Sequence, residues 1–268
     1  MELSILAPLG WETYDDVMTN RSLRSRPRFA PLVFAVAALA VAVPATSQTV
    51  DKEWYLTVYL QQSFPKQTNT NLQIEQINQM FGVDFDTWDD VPNLNLGVQL
   101  FRRVSPKWKL GLQVDYSRGG LDSSAPVDTE AGPADLHFKQ EYSIYADLYA
   151  TAHYLPCSSC RDFVPFVYGG LGIAYEKDTT TLTLTNQYID QYLRVKNDGF
   201  FPSYSAGVGF DWYMGDQRLW YVELGGAYVW ARMTKTVPAE GPLAPAPEVT
   251  ADTDTSGPNY WIGIGRRF

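Results

Sequence analysis

Eight stretches of alternating apolar and polar residues, joined by connections that are short and long in turn, predict an all-β fold: an eight-stranded antiparallel transmembrane β-barrel with short periplasmic turns and long extracellular loops. Aromatic residues gather near the ends of these stretches, as in the girdles at the two faces of a bilayer. With 17 Tyr, 8 Trp and 19% charged residues in 268, the chain is too aromatic and too sparsely charged for disorder.

The first 47 residues stand apart. Arg21, Arg24, Arg26 and Arg28 precede an apolar run from Pro31 to Val43, and Ala45, Thr46 and Ser47 follow it, which is the layout of a secretory signal peptide. The run is shorter than the roughly 20 residues a spanning helix needs. Cleavage after Ser47 leaves 48–268 as the barrel, and Met18 is an alternative start because Glu12, Asp15 and Asp16 suit a signal poorly. Residues 1–47 carry four acids and four bases, so the net charge stays at −9 after removal. A charge of that sign excludes nucleic acid as a partner.

Each strand is justified by a period of two. In the first, Trp54, Leu56, Val58 and Leu60 alternate with Tyr55, Thr57, Tyr59 and Gln61. The second sets Leu94, Leu96, Val98 and Leu100 against Asn95, Gly97, Gln99 and Phe101, and the third sets Leu110, Leu112 and Val114 against Lys109, Gly111, Gln113 and Asp115. Ile144 to Ala152 opposes Tyr145, Asp147, Tyr149, Thr151 and His153 in the fourth. Val167, Gly169, Leu171 and Ile173 oppose Phe166, Tyr168, Gly170 and Gly172 in the fifth. The sixth runs Tyr204, Ala206, Val208, Phe210 and Trp212 beside Ser205, Gly207, Gly209 and Asp211; the seventh runs Trp220, Val222 and Leu224 beside Tyr221, Glu223 and Gly225. The eighth closes the chain with Tyr260, Ile262 and Ile264 against Trp261, Gly263, Gly265 and Arg267. Short connections follow strands two, four and six, and long ones follow one, three, five and seven, so both termini are periplasmic. A soluble barrel would bury Asp115, Asp147, Asp211 and Glu223 in an apolar core, which is too costly.

The stretch from Phe163 to Tyr175, FVPFVYGGLGIAY, and the ending from Gly263 to Phe268, GIGRRF, resemble the outer-membrane protein β-barrel domain family, the small eight-stranded barrels typified by the OmpA membrane domain, OmpX and OmpW. The resemblance covers roughly 50–268 and implies location in the bacterial outer membrane, with its lipids and lipopolysaccharide as surroundings. It also implies that Phe268 is the signal read by the barrel-assembly machinery. Arg266 stands where the family usually has an aromatic or apolar residue.

The polar face gathers Lys109, Asp115, Asp147, His153, Asp211, Glu223 and Arg267, with Arg103 near the periplasmic end. Opposite charges in a narrow barrel pair, so the four acids are expected to meet Lys109, Arg103 and Arg267 in a polar plug; the other reading is a gated path. Inward Tyr55, Tyr59, Phe101, Tyr145 and Tyr149 of the first four strands are expected to lie over the glycines of the opposite wall. By parity His137 and His153 both face the lumen, and neither joins a serine and an acid. No catalytic, metal or cofactor site is read from the chain. Cys157 and Cys160, in an oxidising compartment, predict a short disulfide loop. Ile74, Ile77, Met80 and Phe81 predict a short helix over the mouth, while 84–90 lacks the glycine and final glutamate of a calcium loop. The proline-rich stretch 237–247 reads as disordered.

These readings favour a non-enzymatic outer-membrane barrel with a structural or surface-interaction role and a plugged lumen. The alternative is a narrow channel for small, hydrophobic molecules, as the likeness to OmpW allows, and a lipid A-modifying enzyme ranks third. The acidic outer connections (one base against five acids over 65–92, for example) suggest cation-bridged contact with lipopolysaccharide phosphates, weighed against a plain solvated surface. Deletion of Phe268 should lower the yield of heat-modifiable barrel in membranes, read as the fraction that shifts mobility on boiling. An unchanged yield would remove the role given to that residue.

Overall fold

The computed structural model describes residues 53–268 apart from 89, 90, 92, 158, 245 and 246; the signal peptide read over 1–47 lies outside the described residues. The elements are β1 (Trp54–Ser63), α1 (Thr68–Phe81), β2 (Asn93–Ser105), β3 (Trp108–Thr129), β4 (Gly132–Tyr154), β5 (Phe163–Thr185), β6 (Asp190–Met214), β7 (Trp220–Glu240), β8 (Glu248–Asp254) and β9 (Gly257–Arg267). No described helix is long and apolar enough to cross a membrane.

An unpaired strand edge cannot be left in hydrocarbon, so the sheet must close. β1 to β7 pair antiparallel in sequence order, and β9 lies between β7 and β1, which makes a ring of eight. β8 is a ninth strand hung on β7 beyond the ring. The seam reaches the chain end, where the Trp54 amide donates to the Phe268 carbonyl (2.9 Å) and the Phe268 amide returns the bond (3.0 Å).

Outward residues of the ring are apolar and bare: Leu94, Leu96, Leu148, Val208 and Ile264 are each more than half exposed. In water this would be a large aggregating patch, whereas against lipid it is the wall of a transmembrane barrel. Trp54, Trp212 and Trp220 edge it at one end. The other edge carries Tyr116 and Tyr260, with Tyr175 against Phe200 (centroids 4.7 Å) and Tyr228 against Trp230 (4.9 Å).

β3 to β7 run to between 21 and 25 residues. A tilted crossing takes about 9–11, so roughly half of each stands above the aromatic edge as a protruding sheet. Much of the long connections is therefore ladder. Thr179 to Thr185 looks like polar loop, yet Leu182 and Leu184 alternate with β-branched threonines that favour a strand. The start of the stretch 237–247 is corrected likewise: β7 runs on to Glu240, with Val237 paired to Val249 and Pro238 to Glu248 in the β7–β8 hairpin, while 245 and 246 lie outside the described residues.

A bulge on β4 between Tyr142 and Ile144 changes which side chains face inward. Below it Tyr145, Asp147 and Tyr149 point to the lumen; above it the inward set is Leu136, Phe138, Gln140 and Tyr142. His137, expected in the lumen, thus faces outward, where Nε2 lies 2.6 Å from Asp122 Oδ1 on the exposed side of the sheet.

Inside the ring, bulk lies over glycine, but on the neighbouring strand instead of the opposite wall. Tyr59 faces Gly97 and Gly263, Tyr149 faces Gly172, Phe166 faces Gly209, and Tyr221 faces Gly265. In a narrow tube a ring must lean sideways along the wall, and a Cβ beneath it would collide. Gly207→Leu would press a side chain into the Gly226 carbonyl and Ala227. The expected cost is about 1–3 kcal/mol, read as a lower temperature for the heat-induced mobility shift; an unchanged temperature would show that the wall has room.

Candidate functional site

The lumen is layered from the periplasmic mouth upward. Glu53 accepts from Arg103 (3.4 Å) and Arg267 (3.2 Å) and from the Tyr55 hydroxyl. A cavity of about 120 Å³ opens beside them, lined also by Lys109, Arg161, Arg218 and the disulfide between Cys157 and Cys160. Above it Lys109 Nζ sits 2.5 Å from Asp211 Oδ2, with the Tyr55 ring centroid 4.2 Å away. Glu223 accepts from Trp261 Nε1 (2.8 Å) and Thr57 Oγ1 (3.4 Å). Asp115 accepts from the Tyr59 hydroxyl and from Gln113 Nε2 (2.7 Å), and Asp147 from the Tyr149 hydroxyl (3.2 Å).

Of the expected charge pairs the lumen forms one, Lys109 with Asp211. Arg103 and Arg267, at strand ends, turn to Glu53 because it is the nearest carboxylate, and sequence reasoning missed Glu53. Asp115, Asp147 and Glu223 are held by neutral tyrosine, glutamine, threonine and tryptophan donors. His153 is in the lumen but in no polar layer. Its ring is stacked on Phe166 and tilted on Phe101, both at 4.2 Å, and neither ring nitrogen has a hydrogen-bond partner.

Over the top lies a cap that the helical spacing foretold in outline. α1 begins at Gln67, whose φ of 40 is left-handed; its side chain is buried and Nε2 donates to the Tyr142 hydroxyl (2.6 Å), a contact that holds the costly conformation. Gly82, φ 66, ends the helix. Asn71 and Asn78, seven residues apart on one face, tie the following segment back: Asn71 Oδ1 accepts from the Trp88 amide (2.9 Å) and Asn78 Oδ1 from the Phe85 amide (2.9 Å). Ile74, Ile77, Phe85 and Trp88 then pack into the protruding sheet against Leu121, Leu136, Phe138, Leu182 and Leu184. Met80, on the expected apolar stripe, faces out.

Trp88 Nε1 donates to Gln140 Oε1 (2.7 Å), and Gln140 Nε2 donates to Asp178 Oδ2 (3.4 Å). Asp178 lies three residues beyond Tyr175, outside the membrane-spanning part of β5. Burial under the cap pushes its carboxyl up to about 6, against the pull of hydrogen bonds from Gln140 and Asn197. None of this chain of groups was legible beforehand, although the two-residue spacing of Leu136 with Phe138 and of Leu182 with Leu184 signals an apolar interior there.

No family model matches the sequence, and no curated relative was found. Among solved structures, the chain is similar in architecture to Ail of Yersinia pestis (14% identity, TM-score 0.41, covering 82% of this chain and all of Ail). It is similar also to OprG of Pseudomonas aeruginosa (17%, 0.42, 81% and 96%) and to the outer-membrane protease OmpT of Escherichia coli (12%, 0.35, 83% and 98%). The fold is read from this chain's own strands: with its closed ring, bare apolar wall and polar lumen, it is a small outer-membrane β-barrel.

Proposed function

We propose that this barrel is non-enzymatic, closed to solutes, and presents its protruding sheet outside the cell as an interaction surface. The observation that carries the reading is the double closure. The lumen is filled by layered side chains: the cavities around Asp147 measure about 20 and 30 Å³, the larger one of about 120 Å³ lies at the periplasmic mouth, and an apolar cap lies over the sheet above. Strands that run on past the bilayer serve no purpose in closing the ring; they enlarge what the cell exterior meets. Outer-membrane lipids and lipopolysaccharide are the neighbours of this surface, and the assembly machinery its route to the membrane. His153 is stacked between phenylalanines, and His137 with Asp122 lies on an exposed sheet face, which supports a non-catalytic reading.

Reconstituted protein should show no steady conductance in planar bilayers. Well-resolved single-channel steps from the wild type would overturn the closed reading and favour a conduit. Lys109→Ala leaves Asp211 buried without its partner and should cost about 3–5 kcal/mol, visible as a lowered mobility-shift temperature.

The cap should respond to pH through Asp178. Its folded carboxyl titrates at about 6 against an ordinary 3.8, so the unfolded cap gives up its proton first. The stability it contributes is full below about pH 4 and is lost as pH rises through about 6. Protease protection of the segment 65–91 should therefore be greater at pH 4 than at pH 7, and Asp178→Asn should flatten that dependence. Equal protection at both values in the wild type would remove Asp178 as the sensor.

A further inference from the structure

We propose that the two small cavities around Asp147 form a binding site for one hard divalent cation, Ca²⁺ by its chemistry. Asp147 lines both cavities, which lie in the lumen beneath the cap. It stands directly opposite Asp115 across the β3–β4 ladder, so two buried carboxylates are cross-strand neighbours. Like charges in that position repel. No lysine, arginine or histidine lines either cavity among the described residues, and Lys109, the buried base of the lumen, is engaged by Asp211 lower down.

The uncharged groups point the same way. Asn95 Oδ1 and Ser117 Oγ at the upper cavity, Gln99 Oε1 at the lower, and Asp147 Oδ1 at both are buried and have no hydrogen-bond partner. These unpartnered oxygens line two cavities whose walls share Asp147, Gln61 and Asn259. A water molecule can donate to two of them, but it leaves the carboxylate charge uncompensated in low dielectric. A divalent ion compensates both acids at once, and an all-oxygen donor set selects a hard one. The upper volume, about 30 Å³, admits such an ion with little accompanying water. Gln67 and Tyr142, which hold the start of the cap by their hydrogen bond, line the roof of the same cavity, so entry from outside runs past the cap.

The test uses the folded barrel in detergent, stripped with EDTA and then titrated with Ca²⁺, or with Tb³⁺ as a luminescent probe excited through Tyr145, Tyr149 and Trp261. One equivalent of ion retained after dialysis, tyrosine-sensitised Tb³⁺ emission displaced by Ca²⁺, and a mobility-shift temperature raised by Ca²⁺ are expected. Asp147→Asn should abolish retention, and Asn95→Ala, which removes a ligand without touching charge, should weaken Ca²⁺ binding by about tenfold. Asp128→Asn, on the exposed sheet, should change nothing. Loss of binding in Asp128→Asn with retention in Asp147→Asn would place the ion on the outer surface and overturn the site. So would an ion-free lumen in which an infrared carboxylic-acid band, absent from Asp147→Asn, shows neutralisation by a proton. If Asp147→Asn fails to assemble, unchanged affinity in Asn95→Ala overturns the proposal. The site does not rest on the closed-lumen reading: a conducting barrel that binds Ca²⁺ defeats only the former, and a silent barrel without ion defeats only this one.

Discussion

The width of an eight-stranded ring governs the rest of this molecule. Its interior is only wide enough for side chains, so every inward residue competes for one column of space. Aromatic rings answer by leaning along the wall, and each then requires a glycine beside it. The pairs Tyr59 with Gly97, Phe166 with Gly209 and Tyr221 with Gly265 are one solution repeated around the barrel. What remains for polar groups is narrow, so the buried carboxylates meet hydroxyls, amides and one ammonium at short range, instead of sharing water.

That crowding ends where the bilayer ends. Above the aromatic edge the interior changes from polar layers to an apolar core that includes Leu121, Leu136, Phe138, Leu182 and Leu184. A sheet that extends into water with an apolar inner face cannot leave that face wet, and α1 with Phe85 and Trp88 supplies the cover. The cover is tied to the protruding sheet through Gln67 and Tyr142, and through Trp88, Gln140 and Asp178, and Gln67 and Tyr142 also line the cavity beside Asp147 in the polar lumen below. The two halves thus meet at that cavity, while each has its own packing.

Most of the ring was legible in the sequence because a bilayer imposes a strict period of two. Leu94 to Phe101 and Phe163 to Tyr175 leave little choice of face. The protruding sheet was hidden because water permits polar residues on its outer side, so Thr179 to Thr185 and Val237 with Pro238 look like loop until their partners are known. The lumen residues were assigned to the right face, but not to the right partners. Charge alone suggested Arg103 and Arg267 for the acids, whereas reach decides, and Glu53 is nearer. Met80 was placed inward by helical spacing, yet the buried stripe of α1 passes through Asn71 and Ile74, whose burial depends on the segment that returns with Trp88.

The bulge between Tyr142 and Ile144 has a consequence for how sequence change can be tolerated. One extra residue lets a single strand satisfy two solvents with opposite demands, hydrocarbon below and water above. Remove that residue and 132–142 would advance by one step, turning Leu136 and Phe138 toward water and His137 and Lys139 toward the apolar core. Insertions or deletions of two residues above it would keep the phase, while single ones would not. The strand is thus divided at that point into a part whose sequence is dictated by lipid and a part free to vary in even steps.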